Sequence, residues 1–407
     1  MRKIVLIAAL LLFCISGAAL AQEATPAATP MFNFCGTLSE ADCAILQKAQ
    51  DNVKSLDSES YALDLNATVT NVPDMTEPIK FSMTANGSFS GASSIKSDMT
   101  LMQSDPGQYL VNALDNLDAD LTLTINLPPE ATAADPTIPS SITFQGRLVD
   151  GVGYVNTDTL KTLMGSSASS IKGWYGLDLA NFLKAAMQQM PQMFNMMNMS
   201  STNPAMMQQY EQMFTNPDML NRFLKIERTD DGSTNVATFQ MTIDLGALMG
   251  SPQFQDLMRQ QMQAQMQMQG TTMSQQEMDQ AMAMTSQMLK GMSIVLNEEI
   301  GTDDGYLHSV SGTFAFDTAG MMTSINSMSG ATGSAATPEA EPNINVDFTI
   351  KYSNFNDAPT ISAPPNPVVI PYQTLLSGMS SELGTMGSEL NATAMPPEPM
   401  ATAEASS

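Results

Sequence analysis

Residues 61–70 read YALDLNATVT, and the fold follows from how this stretch is read. Tyr61, Leu63, Leu65, Ala67 and Val69 take alternate positions, with Asp64, Asn66, Thr68 and Thr70 completing the other set. A strand sends successive side chains to opposite faces, so a period of two describes a ribbon that is dry on one side and wet on the other. The pattern recurs at Ile79, Phe81, Met83 and Ala85, at Leu121, Leu123, Ile125 and Leu127, and at Ile142, Phe144 and Leu148. Strands of this kind belong to antiparallel sheets covered on one face only. Asp150-Gly151 supplies a hairpin turn into Val152, Tyr154 and Val155. Further along, the alternation returns at Phe239, Met241, Ile243 and Leu245, then at Ile294, Leu296, Glu298 and Ile300. Asp304-Gly305 leads on to Tyr306, His308, Val310, Phe314 and Phe316, and Ile344, Val346, Phe348, Ile350 and Tyr352 form the last such strand.

Helical signals lie around and between these strands. Ser39 reads as an N-cap with Glu40 and Asp42 in the first turn, and Leu46, Ala49, Val53 and Leu56 follow at helical spacing. Asp178 can cap a helix that runs toward Met190. Asn203-Pro204, Asn216-Pro217 and Ser251-Pro252 each place a capping residue before proline at the first helical position. Phe254, Met258, Met262 and Met266 then recur every four residues, and Ser274-Gln275-Gln276-Glu277 is a capping box. Most of these signals fall between Met187 and Met292, which holds more than half of the chain's 36 methionines. The punctuation predicts helical insertions over residues 178–228 and 251–292 rather than a low-complexity coil.

The start of the chain reads as a secretory signal peptide over residues 1–21: Arg2-Lys3, an apolar run from Ile4 to Leu12, then Ala19-Leu20-Ala21. Lipid attachment at Cys14 is not expected, because bulky Phe13 precedes it where a small residue is needed. Residues 22–34 form a Pro/Ala/Thr linker, and residues 371–407 read as a disordered tail. Of three cysteines, Cys35 and Cys43 remain after cleavage and predict one disulfide, a short loop contributing about 2–3 kcal/mol. With 16 basic against 41 acidic residues and a net charge of -25, the surface repels phosphate backbones and anionic membranes. Nucleic acid is thereby excluded as a partner.

The N-terminal helix, the run of one-sided strands, the helices inserted after Gly173-Trp174-Tyr175 and Asp178-Leu179, and the ending Tyr352-Ser353-Asn354-Phe355-Asn356 before Ile361-Ser362-Ala363-Pro364 form a combination. It resembles the LolA-like superfamily of bacterial envelope lipid carriers, and within it the LppX and LprG type of mycobacterial lipoprotein. The resemblance covers roughly Cys35 to Pro367. It implies an α+β fold over residues 35–370, a curved antiparallel half-barrel sheet with helices packed on its concave face, enclosing acyl chains or whole lipids. The chain departs from that family in lacking a good lipobox and in its long Met/Gln-rich insertion.

The residues expected to line such a cavity are Phe81, Phe144, Trp174, Phe239, Phe314 and Phe348, with Met258, Met262 and Met266 from the helical cover. Methionine is flexible and polarizable, suited to apolar surfaces that must adapt. The alternative is thioether binding of Cu(I) by Met258, Met262, Met266 and Met268, although no histidine or cysteine accompanies them. His308, in phase with Tyr306 and Val310, reads as an inward, hydrogen-bonded structural residue. Glu298-Glu299 and Asp303-Asp304 read as a solvated hairpin. The sequence contains no nucleophile elbow, phosphate loop or metalloprotease helix, and it calls for no cofactor. These readings converge on an exported, non-enzymatic binding protein for a lipid or other hydrophobic small molecule in the cell envelope, with a transient envelope partner. A Cu(I) buffer and a scaffold without a ligand are the alternatives. The oligomeric state is left open.

Overall fold

The computed structural model describes residues 35–71, 77–96, 101, 105–129, 133, 139–158, 172–189, 217–269, 278–279, 281–283, 293–317 and 343–376. The expected signal peptide, linker, Asn203-Pro204 helix start and Ser274 capping box lie outside the described residues. So does the tail beyond residue 376.

Twelve strands form one open α+β sheet: β1 (Glu59–Thr70), β2 (Ile79–Ser90), β3 (Asp118–Asn126), β4 (Ser141–Val149), β5 (Val152–Asn156), β6 (Trp174–Asp178), β7 (Leu224–Arg228), β8 (Val236–Asp244), β9 (Ser293–Gly301), β10 (Leu307–Asp317), β11 (Asn343–Ser353) and β12 (Val368–Ile370). Their order is β12-β6-β5-β4-β3-β2-β1-β11-β10-β9-β8-β7. Two meanders, β1 to β6 and β7 to β11, are therefore joined where β1 pairs antiparallel with β11. Among the described strands, only β12 runs parallel to its neighbour, β6.

The local chemistry explains where each helix begins. Ser39 Oγ accepts from the Asp42 amide at 3.2 Å to start α1 (Glu40–Ser55). Cys35 and Cys43 are bridged across its entry, with Cα atoms 5.3 Å apart. The short helix α2 (Ala92–Lys96) follows β2. Asp105 caps α3 (Pro106–Asn116) through the Gln108 amide at 3.0 Å, with proline at the first position. Asp178 accepts from the Asn181 amide at the head of α4 (Leu179–Gln189). Next come α5 (Pro217–Phe223), α6 (Leu245–Met249) capped by Asp244, and α7 (Pro252–Gln269), where Ser251 Oγ accepts from the Phe254 amide. At the β4–β5 hairpin, Asp150 and Gly151 both take positive φ, 51° and 74°, the geometry that matches strand twist in a two-residue turn.

Register carries the apolar alternation across the whole sheet. Leu63 of β1 faces Ala85 of β2 and Ile350 of β11; Ala85 faces Leu123, which faces Phe144, while Ile350 faces Val310. The side they share is called the inner face. The outer face carries the polar set, tied by pairs such as Thr124–Thr143, Thr313–Asp347 and Gln240–Asn297. The helices gather on the inner face at its two ends. At one end, Ala49 of α1, Leu220 and Phe223 of α5, and Leu224, Ile226, Ala237, Phe239 and Ile300 of the sheet form a dry cluster. At the other end, Leu148, Val155 and Leu177 pack with Leu179, Leu375 and partly buried Leu114, Leu117 and Phe182.

Three expectations are corrected. Residues 224–228 are not part of a helical insertion but the edge strand β7; five residues give too short a pattern to be read alone. Helix α3 was not foreseen, although Asp105-Pro106 carries the same start signal as the others. The fold also runs past residue 370, because residues 372–376 make a helical turn whose Leu375 and Leu376 are buried. The chain reaches that turn across the outer face, where Ile361 packs with Val149 and Tyr154 and Arg147 Nη1 donates to the Ser362 carbonyl at 2.9 Å. It then rounds the β6 edge as β12.

One ion network fixes α1 to the β7 end. Arg228 reaches Asp42 of α1 at 2.7 Å and grips Asp230 through Nε and Nη2, while Asp230 also accepts from the Gly232 and Thr238 amides. Chiefly through the Arg228 hydrogen bonds, the Asp230 carboxyl is held well below the usual carboxylate range. Its folded pKa lies below its unfolded one, so the stabilisation is present above about pH 4 and fades as pH falls further. Asp230→Asn is expected to lower stability at neutral pH by about 1–3 kcal/mol and to flatten the acid limb of the stability curve. Urea unfolding at neutral and acid pH measures both, and equal stability of variant and wild type at neutral pH would refute the assignment.

Candidate functional site

Between the two dry ends the inner face has a different character. Leu63 and Leu65 of β1, Met83 of β2, Leu121 and Leu123 of β3, Leu296 of β9, Phe314 of β10 and Phe348 of β11 are all apolar, yet each is only half-buried. At the ends, by contrast, Phe239 and Ile300 are 1% exposed and Val155 is 2% exposed. The packing of the described helices accounts for the difference: α1 lies on β9, α5 on β7 and β8, and α4 on β5 and β6. The central strands thus form an apolar floor between two helix-covered walls.

Two glycines shape this floor. A Cβ on Gly87 would collide with the Asp120 carbonyl oxygen and stand 2.7 Å from the Tyr61 hydroxyl. A Cβ on Gly312 would meet the Phe348 ring at 2.5 Å and Leu296 at 2.7 Å. At both positions the missing side chain lets a neighbouring aromatic ring lie across the strand. Phe348 stacks on Phe314 with ring centroids 5.5 Å apart.

Of the residues expected to line a cavity, Phe81, Phe314 and Phe348 share the floor, and Phe81 is 39% exposed; Phe144 lies on the same face, half-buried at its margin against the end cluster of Leu148, Val155 and Leu177. Phe239 shares the face but is locked inside the dry end cluster. Trp174 does not join them. It pairs with Asn156 and points to the outer face, where it packs with Val149, Tyr154 and Ile361 beneath the Arg147 guanidinium, 5.4 Å from the ring centroid. The alternation of β6 places Tyr175 and Leu177, not Trp174, on the inner side. Met258 and Met262 are half-buried on α7, which packs against α6; the side chains of Met266 and Met268 lie outside the described residues. Met219, Met249, Met278 and Met282 from the same rich stretch are buried.

His308 corrects its expected phase. The register shifts between Leu307 and Ser309, so His308 sits in a bulge, 2.9 Å from Asp304 and edge-on to Phe355. It serves the β9–β10 turn and lies away from the floor.

The reading of Glu298-Glu299 as a solvated pair is half corrected. Glu299 is exposed, but Glu298 faces Phe239 on β8 and Val310 on β10, on the inner side with Leu296 and Ile300. Burial pushes its carboxyl up, and no described donor or cation offsets that shift. Nearby, burial and the Glu59 and Glu298 carboxylates push the Tyr352 phenol up to about 12. A desolvated carboxyl at the margin of an apolar surface, with another acid and a phenol as the ionisable groups acting beside it among the described residues, marks a functional candidate. Among the described residues no group of three or more His, Cys, Asp or Glu is placed to hold a metal ion. No described helix is long and apolar enough to cross a membrane.

No protein-family model matches the chain, and no curated protein matches it. Among solved structures it is similar to one described as lipid–protein interactions in lipovitellin, with 9% identity and a TM-score of 0.25. That match covers 76% of this chain and 26% of the other, so the chain spans about a quarter of its length. A likeness this loose speaks neither for a shared fold nor for a ligand.

Glu298 has a folded pKa above its unfolded one, so its contribution to stability is greatest in acid and is lost as pH rises through the folded pKa. Glu298→Gln is therefore expected to melt higher than wild type at neutral pH, with the gap closing below about pH 4. Thermal melts across that range test this. A variant that melts lower at neutral pH would show that the carboxylate is stabilised by groups in the fold.

Proposed function

We propose that the protein is an exported, non-enzymatic carrier or binding protein for a lipid-like ligand, which lies along the apolar floor of the central strands. The observation that carries this reading is the contrast among the apolar side chains of the inner face, dry at both ends and half-buried through the middle. An alkyl chain gains roughly 0.8 kcal/mol for each methylene removed from water, so a chain laid on Leu65, Phe314 and Phe348 needs no catalytic group to be held. The flexible methionines of the inserted helices suit a cover that adapts to chains of differing shape. The resemblance to LolA-like carriers implies the same role, and the signal-peptide pattern at residues 1–21 supports export.

Solvent extraction of protein purified from its own host, followed by mass spectrometry, is expected to return a lipid. Emptied protein is expected to bind Nile red, a neutral dye that brightens in apolar surroundings. Leu65→Asp places a charge in the middle of the floor and is expected to weaken dye binding at least about tenfold while the sheet signal in circular dichroism persists. Protein that emerges empty and leaves Nile red dark would sink the proposal.

A further inference from the structure

Among the described strands, the charges on the inner face are all of one sign where a ligand would lie. The strands carry five basic residues: Lys80, Arg147, Lys225, Arg228 and Lys351. Lys80 pairs with Thr68, Arg147 with Asp120, Lys225 with Thr242 and Lys351 with Ala62, all outer-face positions. Arg228 alone shares the inner face, and Asp42 and Asp230 already neutralise it at the far end. The acids divide differently. Glu59 and Glu298 stand on the inner face, Glu298 in the row of Val310, Ile350 and Leu63 that crosses the floor.

From this juxtaposition we infer that the floor selects amphiphiles whose head group donates hydrogen bonds and is not anionic, an amine or a hydroxyl, and that Glu298 receives that head while the tail runs toward Phe348 and Phe314. The inference rests on the lipid-like reading above and narrows it. A fatty-acid carboxylate or a phosphate head would meet like charge in a poorly solvated place, with no cation of the described strands on the floor to balance it. An ammonium or hydroxyl instead supplies a donor, which no described residue gives the Glu298 carboxylate, and a charge-assisted hydrogen bond is the stronger kind. Tyr352, whose phenol stays protonated beside the two glutamates, adds a neutral polar tip to the same corner.

The test uses displacement of Nile red from the whole protein by dodecylamine, dodecanol and dodecanoate, which share one tail and differ in the head. Wild type is expected to bind the amine and the alcohol at least about tenfold more tightly than the carboxylate. Glu298→Gln should narrow the preference for the amine, and Glu298→Lys should turn it toward the carboxylate. The glutamine variant keeps the side-chain shape, so the test survives if the lysine variant fails to fold. Equal displacement by all three heads, or a ranking that neither variant moves, would overturn the inference and leave the apolar floor standing as a binding surface. Failure of all three to displace the dye, or failure of the dye to bind, would overturn both readings together.

Discussion

The structure depends on one constraint: the period-two alternation must stay in phase from strand to strand. A slip of one residue between β1 and β11 would turn every apolar side chain of one meander outward relative to the other. The observed register, with Leu63 facing Ile350 and Leu65 facing Phe348, keeps both meanders facing the same way. An inner face spanning both meanders is more than the described helices cover, since α1 and α5 serve one end while α3 and α4 serve the other. The open floor is thus a result of covering a wide sheet from its ends. The polar outer face carries cross-strand side-chain hydrogen bonds such as Thr124–Thr143 and Thr313–Asp347.

The sheet was legible in the sequence wherever strands ran long enough to show their period. Tyr61 to Val69 and Ile344 to Tyr352 are examples, as are the turns at Asp150-Gly151 and Asp304-Gly305. Helix starts were legible as chemistry, since Ser39, Asp178 and Ser251 cap where their side chains predict. The short elements were not. LKIER of β7 and VVI of β12 hold too few residues to show a period, and their place depends on partners distant in sequence. The turn at residues 372–376 was hidden by the small, polar composition that follows it, although Tyr372, Leu375 and Leu376 are the kind of residues that pack.

Which face each apolar side chain takes was legible in the sequence, while two polar or amphipathic positions were misread. Phe81, Phe144, Phe314 and Phe348 fall on the inner face because each sits in phase with its strand's apolar set. Trp174 misled because bulk suggested burial in a cavity, whereas parity puts it on the outer face with a cation above it. Glu298 misled in the opposite way. Its position in the series Ile294, Leu296, Glu298, Ile300 already assigned it to the dry side, but its charge and its neighbour Glu299 suggested solvent. Periodicity was the better guide, because backbone geometry fixes the direction of a side chain whatever its polarity.

The pairing of β1 with β11 also sets an order of events during synthesis. Asn354, just past β11, donates to Ser60, which was made 294 residues earlier. At about 5–20 residues per second, the first strand waits roughly 15 to 60 seconds for its central neighbour. Until then the meander that begins with β1 has that strand as a bare edge, with unpaired amides and carbonyls beside Leu63 and Leu65. The newborn half-sheet is open to the wrong strand for longer than most of its own hairpins take to form, so the middle of the finished sheet is the place where assembly is most exposed to error.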